Sequence, residues 1–250
     1  MGPIRYHGHR MTLANTMLWF CAIGSMLGLS AQAAPSLAVA RPASKSALRV
    51  VACAMYGDLG RTSATRETPH RLASTPAARR LSFYSDGPIT VMGPTGWECG
   101  ARVAADGDIK LDLYPPGKPD YSRSRAPQGS ALIEVDVVST AHLPGAELVC
   151  SLFPWSSAAR YDLSSGFHCI GPVGQTSRYD LPDVAIFEDP PGVKGSGVGS
   201  GGNLTSLGLV VYPRVSSVPT VKLAELSCTM PAAKQAACRA IEHEFLIRNP

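Results

Sequence analysis

The sequence predicts a mainly β fold, α+β at the margin, built as an antiparallel, sandwich-like sheet with one C-terminal helix. Three observations carry this. The 250 residues include 24 glycines and 21 prolines, which interrupt the chain too often for long helices. Between them lie short apolar runs of strand length, some alternating with period two. Only the final stretch, residues 232–248, turns to Ala, Lys, Gln, Glu and Leu, the composition of a helix.

Three segments follow in order. Residues 1–33 read as a secretory signal peptide: Arg5 and Arg10 precede an apolar stretch from Leu13 to Leu29, and Ala31-Gln32-Ala33 matches a small-residue cleavage site. The apolar core is short for a membrane span, so the chain is expected to have no stable transmembrane anchor. Met11 is an alternative start. Cys21 lies within the apolar core behind bulky Trp19-Phe20, which argues against lipidation. Residues 34–80 read as a flexible basic arm rich in Ala, Pro, Ser and Arg. Within it the apolar run Leu48 to Met55 reads as a strand that Cys53 ties to the main body, while 57–80 shows no period.

Residues 81–250 are expected to form a disulfide-braced β domain. Leu81 to Tyr84 and Ile89 to Met92 flank an Asp86-Gly87-Pro88 turn. Trp97 to Ala105 and Asp108 to Tyr114 flank Asp106-Gly107, with Ile109, Leu111 and Leu113 alternating against Lys110 and Asp112, the pattern of a hairpin with one buried face. Pro115-Pro116-Gly117 ends that strand. Ala131 to Val138 and Ala146 to Phe153 read as strands with Pro144-Gly145 turning between them. Val184 to Phe187 and Leu207 to Tyr212 are further strands. Between them, Gly192 to Gly202 holds six glycines in 11 residues and reads as a loop. Pro231 opens the helix at 232–248, with Ala233, Ala237, Ile241 and Phe245 as its apolar stripe.

Net charge is +4 overall. The arm carries eight Lys/Arg against Asp58 and Glu67, and residues 81–250 carry 13 basic against 17 acidic residues. A folded part near −4 argues against nucleic acid as a partner. An anionic envelope component is open to the arm. Beyond the leader the chain has six cysteines, Cys53, Cys99, Cys150, Cys169, Cys228 and Cys238. An even count in an exported chain points to three disulfides. Six cysteines allow 15 pairings, of which the sequential one, Cys53–Cys99, Cys150–Cys169 and Cys228–Cys238, closes modest loops. With no C-x-x-C and an export signal, no metal is expected.

Chemistry-bearing patterns are sparse. His142, then Asp180 or Asp183, then Ser200 follow the His, Asp, Ser order of a serine-protease triad, but Gly199 stands before Ser200 and His142 reads as part of a turn. Gly197-x-Gly199-x-x-Gly202 fits a phosphate-loop pattern only because the stretch is full of glycine, and it lacks the strand and helix such a loop joins. No cofactor is expected. Asp106, Asp108 and Asp112 lack a full calcium-loop set. Glu188 and Asp189, as strand neighbours, point to opposite faces and read as a solvated strand end. Backbone amides of Gly195, Gly197, Gly199, Ser200, Gly201 and Gly202 remain the candidate binding elements, as a loop open to anions or to close approach of a partner. Trp97 and Trp155, near cysteines, read as core residues; if exposed, with Tyr114, Tyr121 or Tyr161, they would make a carbohydrate or peptide platform. Asn203-Leu204-Thr205 is a glycosylation sequon.

The strings Gly96-Trp97-Glu98-Cys99, Asp106-Gly107-Asp108, Tyr114-Pro115-Pro116-Gly117, the loop from Asp189-Pro190-Pro191-Gly192-Val193 to Ser200-Gly201-Gly202, and Ser227-Cys228-Thr229-Met230-Pro231 with Cys238 and Ile241 resemble a family of uncharacterised secreted actinobacterial proteins. The resemblance covers about residues 81–248 and implies export and paired cysteines. It implies no activity. The expectation is therefore a secreted or cell-envelope protein, a non-catalytic binding or interaction module, with an envelope hydrolase of the serine or another type and a purely structural envelope protein as alternatives.

Overall fold

The structure is a computed structural model that describes residues 50–57, 60–62, 80–139, 143–156, 159–160, 164, 166, 171–196, 201–212 and 222–248. It is mainly β, with two mixed sheets. The strands are β1 (Val50–Ala52), β2 (Ala54–Gly57), β3 (Gly60–Thr62), β4 (Leu81–Ser85), β5 (Thr90–Pro94), β6 (Glu98–Val103), β7 (Ile109–Tyr114), β8 (Leu132–Ser139), β9 (Thr176–Leu181), β10 (Val184–Asp189), β11 (Thr205–Val211) and β12 (Lys222–Met230). Helix α1 is Leu143–Leu152, and a 3₁₀ turn, Ala232–Lys234, leads into α2, Gln235–Arg248.

A three-stranded sheet runs β1-β4-β5 and a nine-stranded sheet runs β3-β2-β6-β7-β8-β12-β11-β10-β9. Pairing is antiparallel except β1 with β4 and β2 with β6. The chain passes from one sheet to the other between β1 and β2, at the single residue Cys53. Its amide donates to Ser85 O at 2.7 Å, and its sulfur is bonded to Cys99 on β6. The crossing is thus held to β4's end and to the large sheet at one point.

The two sheets share an apolar core with α2. Leu81, Phe83, Val91 and Met92 of the small sheet meet Leu111, Leu113, Ile133, Val135, Leu209 and Leu226 of the large one, with Ile241 and Phe245 of α2. These positions alternate along β7, β8 and β12, as a strand with one face turned to a core requires. Gly93 on β5 is where the sheets approach most closely, since a Cβ there would overlap Leu113. Cys228 on β12 is bonded to Cys238 on α2, and the Arg248 guanidinium lies 4.2 Å from the Phe83 ring centroid, so the helix is pinned near both ends. Cys150 is also disulfide-bonded; Cys169, its expected partner, lies outside the described residues.

The hairpin around Asp106-Gly107 forms as expected, β6 and β7 pairing from Glu98 with Tyr114 to Val103 with Ile109. Gly107 adopts φ +80° in the turn, the left-handed conformation glycine accepts. Two expectations are corrected. Ala146 to Phe153 is helix α1 and its end, not a strand: Val149, Leu152 and Phe153 are buried, a spacing of three and four that fits a helix period, and a short apolar run alone does not distinguish the two. The stripe of α2 is Cys238, Ile241, Glu242 and Phe245 instead of Ala233, Ala237, Ile241 and Phe245, because the bond from Cys228 turns Cys238 inward. Lys222–Met230, to which the sequence pattern assigns no element, is the strand between β8 and β11.

Chain entropy predicts unequal contributions from the two bridges. Their sequence separations are 46 and 10 residues, so Cys53→Ala with Cys99→Ala is expected to cost ~4 kcal/mol and Cys228→Ala with Cys238→Ala ~3 kcal/mol. Urea midpoints of the two double variants against the parent check the order.

Candidate functional site

The face of the large sheet turned away from the shared core is covered differently at its two ends. At one end α1 packs Val149, Leu152 and Phe153 on Ala185, Phe187, Val210 and Leu223. At the other, Tyr114, Tyr121, Ala126 and Leu132 form a second apolar cluster, the two tyrosine rings 5.2 Å apart. Along β8 the residues on this face are therefore Leu132, Glu134, Asp136 and Val138, apolar at the ends and acidic in the middle. β7 adds Lys110 and Asp112, and β12 adds Glu225, Ser227 and Thr229.

Register places like charges side by side. Asp112 lies across from Glu134 and Asp136 across from Glu225, an arrangement that is unfavourable when both members are ionised. Lys110 is the cation of the group: its ammonium contacts Glu134 and lies 3.6 Å from Asp112 Oδ1. Burial alone would lower the Lys110 pKa, but the Glu134, Asp112 and Asp136 carboxylates hold it well above the ordinary lysine value. Burial raises Asp112 to about 6 and Glu134 to about 8 in spite of Lys110. Burial also raises Asp136 and Glu225 well above ordinary carboxyl values, reinforced by Glu134 for the first and by Asp136 for the second. One ammonium cannot balance four carboxylates in a dry setting, so part of the row stays protonated at neutral pH. Among the described residues no group of three or more His, Cys, Asp or Glu is arranged to hold a metal ion.

The glycine loop after β10 is organised around Asp189, which is fully buried rather than solvated at a strand end. Gln175 Nε2 donates to its Oδ1 at 2.7 Å and to Ser196 Oγ at 3.0 Å. A Cβ on Gly195 would overlap the Asp189 carboxylate, so glycine is what lets the loop fold over that group. Gly192 N donates to Gly202 O at 2.8 Å, closing the base of the loop. Gly201 packs on Gln128, and Gly202 on Gly129. Gly197, Gly199 and Ser200 lie outside the described residues, as do His142, His168 and Tyr161. Asp180 is exposed and paired with Arg178 at 3.3 Å.

A third region surrounds β9, an element the sequence reading passed over. It is the edge strand of the large sheet, and all six of its residues are exposed. On its α1 side stands an aromatic group. Trp155 is 49% and Tyr179 42% exposed, their ring centroids 4.9 Å apart and nearly edge-on, with Phe153 beneath at 5.9 Å from Trp155. Tyr179 Oη donates to Leu152 O at 2.6 Å, which fixes its ring against α1. Trp155 is therefore a surface residue, against expectation, because it follows the end of α1 where the chain leaves the sheet; Trp97 does pack against the shared core. On the α2 side of β9 lies a cavity of about 140 Å³ between β9, β10, β11 and α2, lined by Arg178, Ile186, Phe187, Glu188, Leu207, Arg239 and Glu242 among others. The sequence signal that could have flagged β9 is Tyr179 and Leu181 two positions apart.

No known protein family, curated protein or solved structure matches the chain significantly. Among the described residues no helix is long and apolar enough to cross a membrane.

Two outcomes test this geometry. Carboxyl groups whose folded pKa is raised bind more protons folded than unfolded, so their stabilisation is complete below the unfolded values near 4 and is lost as pH rises through the folded ones. With Asp112 near 6 and Glu134 near 8, stability is expected to fall from pH 5 to pH 8, and Glu225→Gln is expected to flatten that fall; denaturant titrations across the range measure it. Gly195→Ala is expected to destabilise by ~1–3 kcal/mol through displacement of the buried Asp189 carboxylate from its partners, read as a drop in thermal midpoint.

Proposed function

We propose that the chain is an exported, non-catalytic binding module, and that its partner is an extended polypeptide segment that adds to β9 as a further strand. The observation that carries this reading is that all six residues of β9 are exposed and that, among the described residues, β9 is an edge strand of the large sheet, with an exposed aromatic pair on one of its faces. An edge offers unpaired backbone N–H and C=O groups, and folded proteins generally cover or blunt such edges because they recruit other chains. Strand addition uses that backbone for affinity and alternate side chains for selectivity.

The alternation of β9 supports the second half of the argument. Ser177 and Tyr179 share the face with Trp155, so alternate residues of an added strand would meet aromatic rings there. Thr176 and Arg178 share the other face, and the register shifts after Tyr179, at Asp180. Arg178 and Asp180 disfavour pairing with an arbitrary apolar segment, so a partner needs polar residues at one set of alternate positions and apolar or aromatic ones at the other. The two disulfide pairs fit an oxidising compartment, and the leader pattern supports an extracellular or cell-envelope location.

A display library of extended peptides selected on the mature chain is expected to enrich such an alternating pattern. N-methylation at every second residue of a selected peptide should abolish binding while methylation at the intervening residues is tolerated, because only one set of amides faces β9. Trp155→Ala should weaken binding about tenfold, the ~1.4 kcal/mol of an aromatic contact. Absence of enrichment, or binding indifferent to N-methylation, overturns strand addition.

A further inference from the structure

The cavity between β9, β10, β11 and α2 has the composition of a ligand site that the strand-addition reading does not use. Its floor is apolar, made by the side chains of Ile186 and Leu207, and its rim carries two guanidinium groups and two carboxyl groups. Glu242 is only 7% exposed, yet its Oε1 has no hydrogen-bond partner. A buried carboxyl oxygen left in that state costs free energy that an N–H donor would restore. The cations are also underused. Arg239 Nη2 approaches Glu188 Oε2 only to 4.0 Å, and Arg178 engages Asp180 through Nε at 3.3 Å, leaving its terminal nitrogens for another acceptor.

We propose that this cavity binds a small zwitterion, an α-amino acid, whose carboxylate is held by Arg178 and Arg239, whose ammonium group donates to Glu242 and Glu188, and whose side chain rests on Ile186 and Leu207. A ligand with one charge would satisfy one wall and oppose the other; a zwitterion matches both. The volume agrees. At about 140 Å³ the cavity is well below the ~300–1,000 Å³ of sites for drug-sized ligands and admits a molecule of a few heavy atoms.

The ammonium contact gives the site a pH dependence. Burial pushes the Glu242 carboxyl up to about 7, against the pull of Arg239 and Arg178 and with a smaller push from Glu188. An ionised Glu242 accepts from an ammonium group, so affinity rises as pH increases through 7. Arg178 on β9, Glu188 on β10 and Arg239 on α2 are the charged groups facing Glu242.

Titration of the mature chain with glycine, L-alanine, D-alanine, acetate and ethylamine, followed by calorimetry and by amide chemical shifts of β9 and α2, tests this. The amino acids are expected to bind saturably, with acetate and ethylamine at least about tenfold weaker. Glu242→Gln keeps the shape of the side chain and is expected to lower amino-acid affinity about tenfold at pH 8 and remove the pH dependence; Arg239→Gln should lower it at both pH 6 and pH 8. Equal binding of acetate and alanine, no saturable shifts up to ~10 mM, or Glu242→Gln binding as the parent does overturns the proposal. Selection of extended peptides at β9 is read out separately and is unaffected by Glu242→Gln, so the two ideas fail independently.

Discussion

The fold depends on burying the central strands of the large sheet on both faces at once. β7, β8 and β12 turn one set of side chains, Leu111, Leu113, Ile133, Val135, Leu226 and Cys228, to the core shared with the small sheet and α2. The alternate set faces α1 and a second apolar cluster. A strand covered on one side only can solvate its polar residues. Here it cannot, and Lys110, Asp112, Glu134 and Glu225 have to find partners or protons within the protein. Register is specified strongly as a result, because a slip of one residue would exchange an all-apolar set for an acidic one.

That constraint explains where covalent and close-packed reinforcement falls. The chain changes sheets at Cys53, with no loop between β1 and β2 to absorb error, and the bond to Cys99 fixes that residue against β6. Helix α2 covers the other end of the core and is tied to β12 through Cys228 and Cys238. Gly93 leaves room on β5 for the Leu113 side chain between the sheets. The buried acidic row works against these, since it stores like charges at neighbouring positions, and a pH-sensitive stability follows directly from its burial.

The proposed binding edge lies at the β9 end of the large sheet, where these constraints relax. Among the described residues β9 pairs with β10 only, and its two faces differ: rings of Trp155 and Tyr179 on one, a charged cavity on the other. The glycine loop, the most distinctive string in the sequence, has its described part engaged in holding Asp189. Glycine richness there reflects space for a buried carboxylate as well as any freedom of the backbone.

How far the sequence could be read follows from the range of the interactions involved. Period-two alternation in Ile109, Leu111 and Leu113 and the Asp106-Gly107 turn are local, and the hairpin they announce is present. The helix near residue 235, with its preceding Pro231, is local as well. β12 escaped notice because its second face mixes Glu225, Ser227 and Thr229 with Leu223, which resembles no simple pattern until β8 and β11 flank it. α1 was taken for a strand because five apolar or small residues in a row fit either period.

By itself the sequence determined the leader pattern, the even cysteine count, the mainly β class and most strand positions, since each rests on composition or on neighbours within a few residues. Only tertiary structure decided that Asp189 is buried, that Trp155 is exposed, that four carboxyl groups share one ammonium, and that Arg178, Arg239 and Glu242 converge. Those facts are set by which strands become neighbours, and residues 178 and 242 meet only because β9 ends the sheet beneath α2.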